Sequence, residues 1–202
     1  MMYAIAIILF IFLCLSLLLS TIRTGRLALS IKILRWVITI GGITFFSWWF
    51  FKKSFPRLTD NSLSVQIINN LQQPIDFYTV RINKGPDAED VINHLGTIRS
   101  GYYRIEYFNV KNSDEYWLMG FIGKKKLVYF SQHTVVNKNE DQLVEVRNYI
   151  NQSQRLSDLG VKKVNAYVND TVTEAIWITL DFLLIFLNLV LLLRKRTLRV
   201  EH

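Results

Sequence analysis

Residues 175–193 form a long apolar run that contains a single ionisable side chain, Asp181. In a helix that rises about 1.5 Å per residue, about 20 apolar residues cross the hydrocarbon core of a bilayer. Leu, Ile, Phe or Val occupies 14 of these positions. Their summed transfer free energy outweighs the ~2.5 to 3.5 kcal/mol that a carboxylate costs at the membrane centre. We therefore predict a transmembrane helix over residues 174–193.

Polar residues recur along this segment at seven-residue intervals, at Glu174, Asp181, Asn188 and Lys195. A step of seven returns a helix to nearly the same face. Lipid cannot satisfy a carboxylate or an amide, so we expect this polar face to contact protein or a wet cavity and to bind a partner. Within the chain, Ser47 is the expected partner of Asp181, because both lie at similar depth when their spans are centred. Alternatively, Asp181 lies near enough to the surface for water to reach it.

Two further apolar segments predict two more spans. Residues 1–22 contain no charge, and residues 36–51 form a shorter apolar run. We expect residues just before the shorter run to extend it, with Lys32 and Arg35 reaching out to the membrane surface. A cleaved signal peptide would need basic residues ahead of the first apolar segment and a small-residue cleavage site after it, and the sequence shows neither.

Basic residues indicate the orientation of the three spans. The predicted loop 23–35 and the tail 194–202 each contain four Lys or Arg residues. Basic flanks mark the cytoplasmic side, so residues 60–173 are expected outside the cytoplasm. The chain has one cysteine, Cys14, in the first span. An exported domain without disulfides indicates a protein of the bacterial inner membrane rather than an animal cell-surface receptor.

The region 60–173 contains 13 basic and 13 acidic residues, so the net charge of +8 comes from the membrane flanks. Only Lys124, Lys125 and Lys126 form a local basic cluster, at an expected hairpin turn. A nucleic-acid-binding surface needs concentrated positive charge. We therefore expect no nucleic-acid partner.

The same region has the pattern of a β-domain. Apolar residues alternate with polar ones in two stretches: Leu63, Val65 and Ile67, and Tyr103, Ile105 and Tyr107. Such alternation is typical of half-buried strands. Residues 116–122 and 127–130 are nearly continuous apolar runs, which predicts a central hairpin buried on both faces. A phase change near Thr79 predicts a β-bulge.

Two short helices are expected beside these strands, one over residues 86–95 and one over residues 154–159 that ends at Gly160. The predicted fold is three transmembrane α-helices plus an extracytoplasmic all-β domain over residues 60–173, an immunoglobulin-like antiparallel sandwich.

Catalytic and metal-binding patterns are not found in the sequence. Ser131 and His133 are two residues apart, but no Gly-x-Ser-x-Gly or phosphate-binding loop accompanies them. We interpret His133 as a surface residue at a strand end. Three histidines and one cysteine, without metal-ligand spacing, indicate no metal site. We predict no catalytic residues and no cofactor.

These features favour a non-catalytic accessory or scaffold subunit of a multi-protein inner-membrane complex. Its expected partners are the lipid bilayer, other integral membrane proteins and a periplasmic protein that binds the β-domain. The alternative is a subunit of an ion- or proton-coupled transporter or motor that uses Asp181, because intramembrane carboxylates often mark ion pathways. An enzyme or sensor whose site residues converge only in space is a third reading.

Overall fold

The computed structural model describes residues 2–21, 26–54, 63–83, 90–108, 113–123, 126–137 and 140–194. The chain divides into two compact units. The helical unit comprises Met1–Pro56 and Asp170–His202, and the β-domain comprises Arg57–Asn169. Lys124, Lys125, Lys195 and most of the predicted tail 194–202 lie outside the described residues.

Three α-helices are described: α1 (Met2–Leu19), α2 (Arg26–Ser54) and α3 (Gln154–Leu193). Long runs of Leu, Ile and Phe without proline favour helices, in which every backbone polar group is satisfied inside the segment. By length and hydropathy, α2 over Ala28–Lys52 and the helix Gln154–Leu193 are long and apolar enough to cross a membrane. The apolar part of α1, Ala4–Leu19, is shorter.

Helix α2 begins at Arg26, so most of the predicted loop 23–35 is helical. Arg35 is buried, so its side chain does not extend outward as predicted. The physical reason is the position of Arg35 on the helix. Arg35, Thr39, Gly42 and Phe46 follow one another at helical spacing and are all buried, so they share the inward face of α2.

Helix α3 begins at Gln154 as predicted, but the predicted end at Gly160 is wrong. The helix does not end at Gly160 but extends to Leu193, and its total length is 40 residues. Gly160 is buried, and a Cβ atom there would lie 2.7 Å from Sδ of Met119 on the sheet. The glycine therefore allows the helix to approach the sheet closely and does not terminate it.

The β-domain contains seven described strands in two sheets. Their bounds are β1 (Leu63–Asn69), β2 (Ile75–Ile82), β3 (Val91–Ile98), β4 (Tyr103–Phe108), β5 (Glu115–Ile122), β6 (Lys126–Thr134) and β7 (Gln142–Val146). One sheet has the order β4-β1-β7 and the other the order β3-β2-β5-β6. All neighbouring strands are antiparallel except β1 and β7, which are parallel. The β-domain is therefore not wholly antiparallel.

The four-stranded sheet is buried on both faces. One face packs against the other sheet through a core that includes Val65, Phe77 and Leu118. The opposite face, with Trp117 and Met119, packs against the first part of α3. This covering helix means that the domain is not all-β. The predicted hairpin of two apolar strands is confirmed, although only β5 is central in its sheet and β6 lies at the edge.

Strand β3 replaces the helix that was predicted over residues 86–95. Residues 84–89 lie outside the described residues, and residues 91–95 are extended. The pairing of β2 with β3 shifts between Phe77 and Tyr78, where Leu95 is the extra residue on β3 and Gly96 has a φ of 82°. The bulge thus lies near the predicted position but on the neighbouring strand. Strand β2 is buried on both faces, so apolar and polar residues do not alternate regularly along it. This irregularity looks like a phase change in the sequence.

Candidate functional site: the polar face of the helical unit

Asn188 ties α3 to α1 inside the helical unit. Its side chain is fully buried. Ser16 Oγ donates a hydrogen bond of 2.7 Å to the Asn188 side-chain oxygen. The Asn188 amide nitrogen donates to the carbonyl oxygens of Leu13 and Leu184, at 3.2 and 3.0 Å. An amide that is satisfied in this way holds two helices together where no water is present.

Asp181 lies seven residues earlier on the same face of α3 and differs sharply from Asn188. It is also 0% exposed. In the part of the chain that the structure describes, neither of its carboxylate oxygens has a hydrogen-bond partner. An ionised carboxylate that is removed from water without a partner is very unfavourable. Asp181 is therefore the residue of this face whose buried carboxylate is not compensated by the described residues.

The neighbourhood of Asp181 is apolar. Phe182, the next residue, stacks on Phe46 of α2 with ring centroids 4.8 Å apart. Leu13, Phe46 and Ile185 form the buried apolar cluster of the unit. Gly42 of α2 allows a close approach, because a Cβ atom there would lie 3.1 Å from Cδ1 of Ile185. The three helices thus enclose the polar face in apolar packing.

Arg35 is a second buried ionisable residue that the sequence reasoning did not identify as part of the site. Its Nε and Nη2 atoms have no hydrogen-bond partner among the described residues. Arg35 precedes Phe46 by eleven residues, which is about 16 Å along a helix. Phe46 stacks on Phe182, the residue after Asp181, so Phe46 and Asp181 lie at a similar depth. Arg35 therefore lies at a different depth from Asp181, and the two side chains do not neutralise each other. The helical spacing of Arg35, Thr39 and Phe46 is the sequence signal that could have revealed its inward position.

The other predicted residues of this face are distributed as follows. Glu174 is half-buried on α3, and Lys195 lies outside the described residues. Ser47, the predicted partner of Asp181, is exposed, and both oxygens of Asp181 lack a partner, so no hydrogen bond joins the two. The reason is rotational: Phe46 faces inward, and the next residue is turned by about 100° around the helix.

The β-domain brings Ser131 and His133 together, but not as an accessible site. Ser131 Oγ and His133 Nε2 are 2.7 Å apart, and the His133 ring stacks on Tyr116. Ser131 is buried, which closes it to a substrate. Burial lowers the pKa of His133. His133 lies near the end of β6 as predicted, but it is half-buried and not fully on the surface.

No cluster of three or more His, Cys, Asp or Glu side chains that could hold a metal ion occurs among the described residues. Neither a family model, nor a curated protein, nor a solved structure matches the chain. The function must therefore be argued from the arrangement of its own residues.

Proposed function

We propose that this protein is a non-catalytic accessory or scaffold subunit of a multi-protein complex in the bacterial inner membrane. In this proposal its three helices span the bilayer and dock against partner helices, and its β-domain binds a partner in the periplasm. The observation that carries the proposal is the fully buried Asp181, whose carboxylate has no partner in the described chain. A basic or amide side chain of another subunit would satisfy it.

The distribution of side chains in the helical unit supports a lipid environment. Its interior contains Ser16, Thr39, Asp181 and Asn188, whereas large apolar side chains point outward on all three helices. The outward residues include Ile11, Leu18, Val37, Trp48, Phe182 and Phe186. Polar residues inside and apolar residues outside suit a helix bundle in a bilayer, where lipid is the solvent. Helix α1 has 18 residues, which is about 27 Å and close to the thickness of the hydrocarbon core.

The strand order supports an immunoglobulin-like arrangement of most of the β-domain. In that fold the sheet with strands C, F and G acquires C′ in its longer form, and strands B and E lie in the opposite sheet. Strands β2, β3, β5 and β6 would correspond to C, C′, F and G, and the β1–β4 pair to B and E. The parallel strand β7 departs from this pattern.

The orientation in this proposal follows the basic flanks of the helices, which favour a cytoplasmic position for the α1–α2 connection and the C-terminal tail. Residues 60–173, which contain equal numbers of acidic and basic residues, then lie in the periplasm. The buried Ser131 of this region and the lack of a described metal-binding cluster favour a binding module over an enzyme.

Affinity purification of the tagged full chain from mild detergent tests the docking role. We expect the wild-type chain to bring down specific integral membrane proteins, Asp181→Asn to retain them in part, and Asp181→Leu to lose them. Thr179→Leu is the matched control, because Thr179 is exposed and already donates its hydroxyl to the Ala175 carbonyl oxygen. If Asp181→Leu brings down the same proteins in the same amounts, the docking role is wrong.

Coupling to protons or cations is the second candidate, and the enclosed position of Asp181 favours it. A carboxylate that points into the helical unit, instead of toward the surrounding lipid, can take up a proton or cation that reaches it between helices. In this case Asp181→Asn would leave the complex assembled but abolish its ion-dependent activity. Intact activity of the Asp181→Asn complex would exclude this candidate.

A further inference from the structure

Strand β4 turns its apolar side chains away from the core. Tyr103, Ile105 and Tyr107 are 62%, 43% and 62% exposed. In the register with β1, Arg104 lies opposite Ile67 and Glu106 opposite Val65, both of which belong to the core. The charged residues therefore take the inward face of β4, and the apolar residues take the outer face. This is the reverse of the usual arrangement on a half-buried strand.

The exposed side chains of β4 continue onto its neighbours. Tyr102 precedes the strand and is exposed. On the same outer face, Ile68 pairs with Tyr103, and Gln66 lies between Ile105 and the exposed Leu143 of β7. Tyr102, Tyr103, Ile105 and Tyr107 form an exposed apolar patch. On a folded domain such a patch commonly marks an interaction surface.

Strand β4 is also the edge of its sheet, which has the order β4-β1-β7. One side of its backbone pairs with β1, and no described strand pairs with the other side. An edge strand presents a row of backbone donors and acceptors that a further strand can complete. The apolar patch and the open edge thus lie on the same strand.

We propose that β4 pairs with β4 of a second copy of this chain, antiparallel and centred on Ile105, to form a continuous sheet across a twofold axis. The sequence Tyr103-Arg104-Ile105-Glu106-Tyr107 has the symmetry that such a contact needs. Read from either end, it gives aromatic, charge, isoleucine, opposite charge, aromatic. In the centred register, Ile105 meets its own copy, Tyr103 meets Tyr107, and Arg104 meets Glu106.

Charge selects this register among the alternatives. A shift by two residues places Arg104 opposite Arg104, or Glu106 opposite Glu106, and like charges directly opposite each other are destabilising. A shift by one residue places Arg104 opposite Ile105 and mixes the two faces of the sheet. The centred register forms two Arg104–Glu106 pairs by symmetry and keeps the tyrosines on one face. An isologous contact of this kind closes after two copies.

The position of Arg104 supports the contact. A Cβ atom at Gly96 of β3 would lie 3.0 Å from an Nη atom of Arg104, so the guanidinium lies at the rim between the two sheets. There it remains close to the edge that the second copy would cover. Inward-pointing charges also deter pairing with unrelated strands, because such strands leave them unpaired. The same residues therefore permit one partner and disfavour others. This homodimer does not depend on the proposed role of Asp181.

Charge reversal in the full-length chain tests the proposal. The mass of the protein in mild detergent, measured over a range of concentrations, gives the dimer dissociation constant. We expect Arg104→Glu and Glu106→Arg each to weaken the dimer by about tenfold or more, because both symmetric pairs become repulsive. The double variant Arg104→Glu/Glu106→Arg should dimerise like the wild type, because opposite charges again meet.

A cross-link locates the twofold axis. In a Cys14→Ser background, Ile105→Cys should form an intermolecular disulfide, because directly opposed residues in an antiparallel pair have Cβ atoms about 4.5–5.5 Å apart. Leu143→Cys is the matched control, since Leu143 is at least as exposed as Ile105 on the same sheet face but lies on β7. A monomer at all concentrations, a double variant that remains monomeric, or cross-linking of Leu143→Cys as fast as Ile105→Cys would overturn the proposal.

Discussion

One fully buried polar side chain in each unit gives a clear contrast, Asn69 in the β-domain and Asp181 in the helical unit. In the β-domain, Asn69 is 0% exposed and makes three hydrogen bonds: its amide nitrogen donates to the carbonyl oxygens of Gln73 and Ile98, and its side-chain oxygen accepts from the backbone of Leu71. In the helical unit, Asp181 is equally buried and makes none among the described residues. Burial alone therefore does not show whether a polar side chain is satisfied. The hydrogen bonds among the described residues show it.

The same contrast appears within one helix. Asn188 is satisfied by groups of its own chain, and Asp181 is not. The β-domain also has one buried hydroxyl without a described partner, Thr79 Oγ1. A neutral hydroxyl costs far less to bury than a carboxylate, so Thr79 is compatible with a purely structural position. Asp181 and Arg35 differ from Thr79, because both are ionisable side chains with buried polar atoms that have no partner among the described residues.

The largest expected effect is in the β-domain, where Asn69→Ala should lower the free energy of unfolding by roughly 3 kcal/mol or more. The substitution leaves two carbonyl oxygens and one backbone N–H group without their partner, and each buried unsatisfied group costs about 1–3 kcal/mol. Urea denaturation followed by hydrogen exchange of β-domain peptides measures the change. A loss below about 1 kcal/mol would show that the hydrogen bonds of Asn69 contribute little to the stability of the β-domain.

Helix packing gives the next largest effect, in a matched pair of adjacent glycines. Gly42→Leu should destabilise the helical unit by roughly 2–3 kcal/mol, because its side chain would meet Ile185 and Leu9. Gly41 has no atom within 4 Å of its Cβ position, so Gly41→Leu should be neutral. Thermal unfolding in mild detergent compares the two. Equal effects would contradict the described packing of α2.

The contrast inside α3 predicts that the two substitutions to leucine differ in stability by about 1–2 kcal/mol. Asn188→Leu should lower the stability of the detergent-solubilised chain, because Ser16 and two carbonyl oxygens lose their partner. Asp181→Leu should leave stability unchanged or raise it, because an unsatisfied carboxylate is removed. Thermal unfolding of the isolated chain checks both signs. A loss for Asp181→Leu as large as that for Asn188→Leu would make Asp181 a structural residue.

A smaller effect concerns the pH dependence of the β-domain. Burial lowers the pKa of His133 below its ordinary value of 6.5, so the folded state favours the neutral ring. The stability due to this residue is complete above pH 6.5 and falls as the pH decreases through that value, because the unfolded chain takes up the proton first. His133→Gln should reduce the slope of the free energy of unfolding against pH in that range. An unchanged slope would show that His133 titrates as an exposed histidine.

At high pH the direction reverses. Burial, together with the neighbouring Asp76 carboxylate, raises the pKa of Tyr78 to about 12. Stability due to Tyr78 is therefore complete below pH 10 and is lost as the pH rises from 10 toward 12. Tyr78→Phe should reduce this alkaline loss in the same urea experiment, and an identical alkaline profile would contradict the buried position of the phenol.

Sequence patterns predicted the elements whose burial is one-sided or complete. The apolar runs predicted the helices, and the continuous runs of β5 and β6 predicted their hairpin. The strand β4 was predicted, but its inward face could not be, because alternation gives the period of a strand and does not show which face points inward. Arg35 was missed for a similar reason: the rotation of a helix about its axis is set by its neighbours.

Tertiary contacts explain the remaining differences. Gly160 has the sequence signature of a helix end, but Met119 makes it a packing position within a longer helix. The local sequence before β3 favours a helix, whereas pairing with β2 extends residues 91–98. Whether Asp181 has a partner depends on three helices that are far apart in sequence, so its lack of one among the described residues could not be predicted from α3 alone.

In the proposed orientation the β-domain lies outside the cytoplasm and the α1–α2 connection lies inside it. In a Cys14→Ser background, cysteines can be introduced at Val136 of the β-domain, which is 93% exposed, and at Thr21 after α1. A membrane-impermeant maleimide applied to intact spheroplasts should label Val136→Cys at once and Thr21→Cys only after the membrane is permeabilised. Labelling of Thr21→Cys but not Val136→Cys in intact spheroplasts would contradict the account.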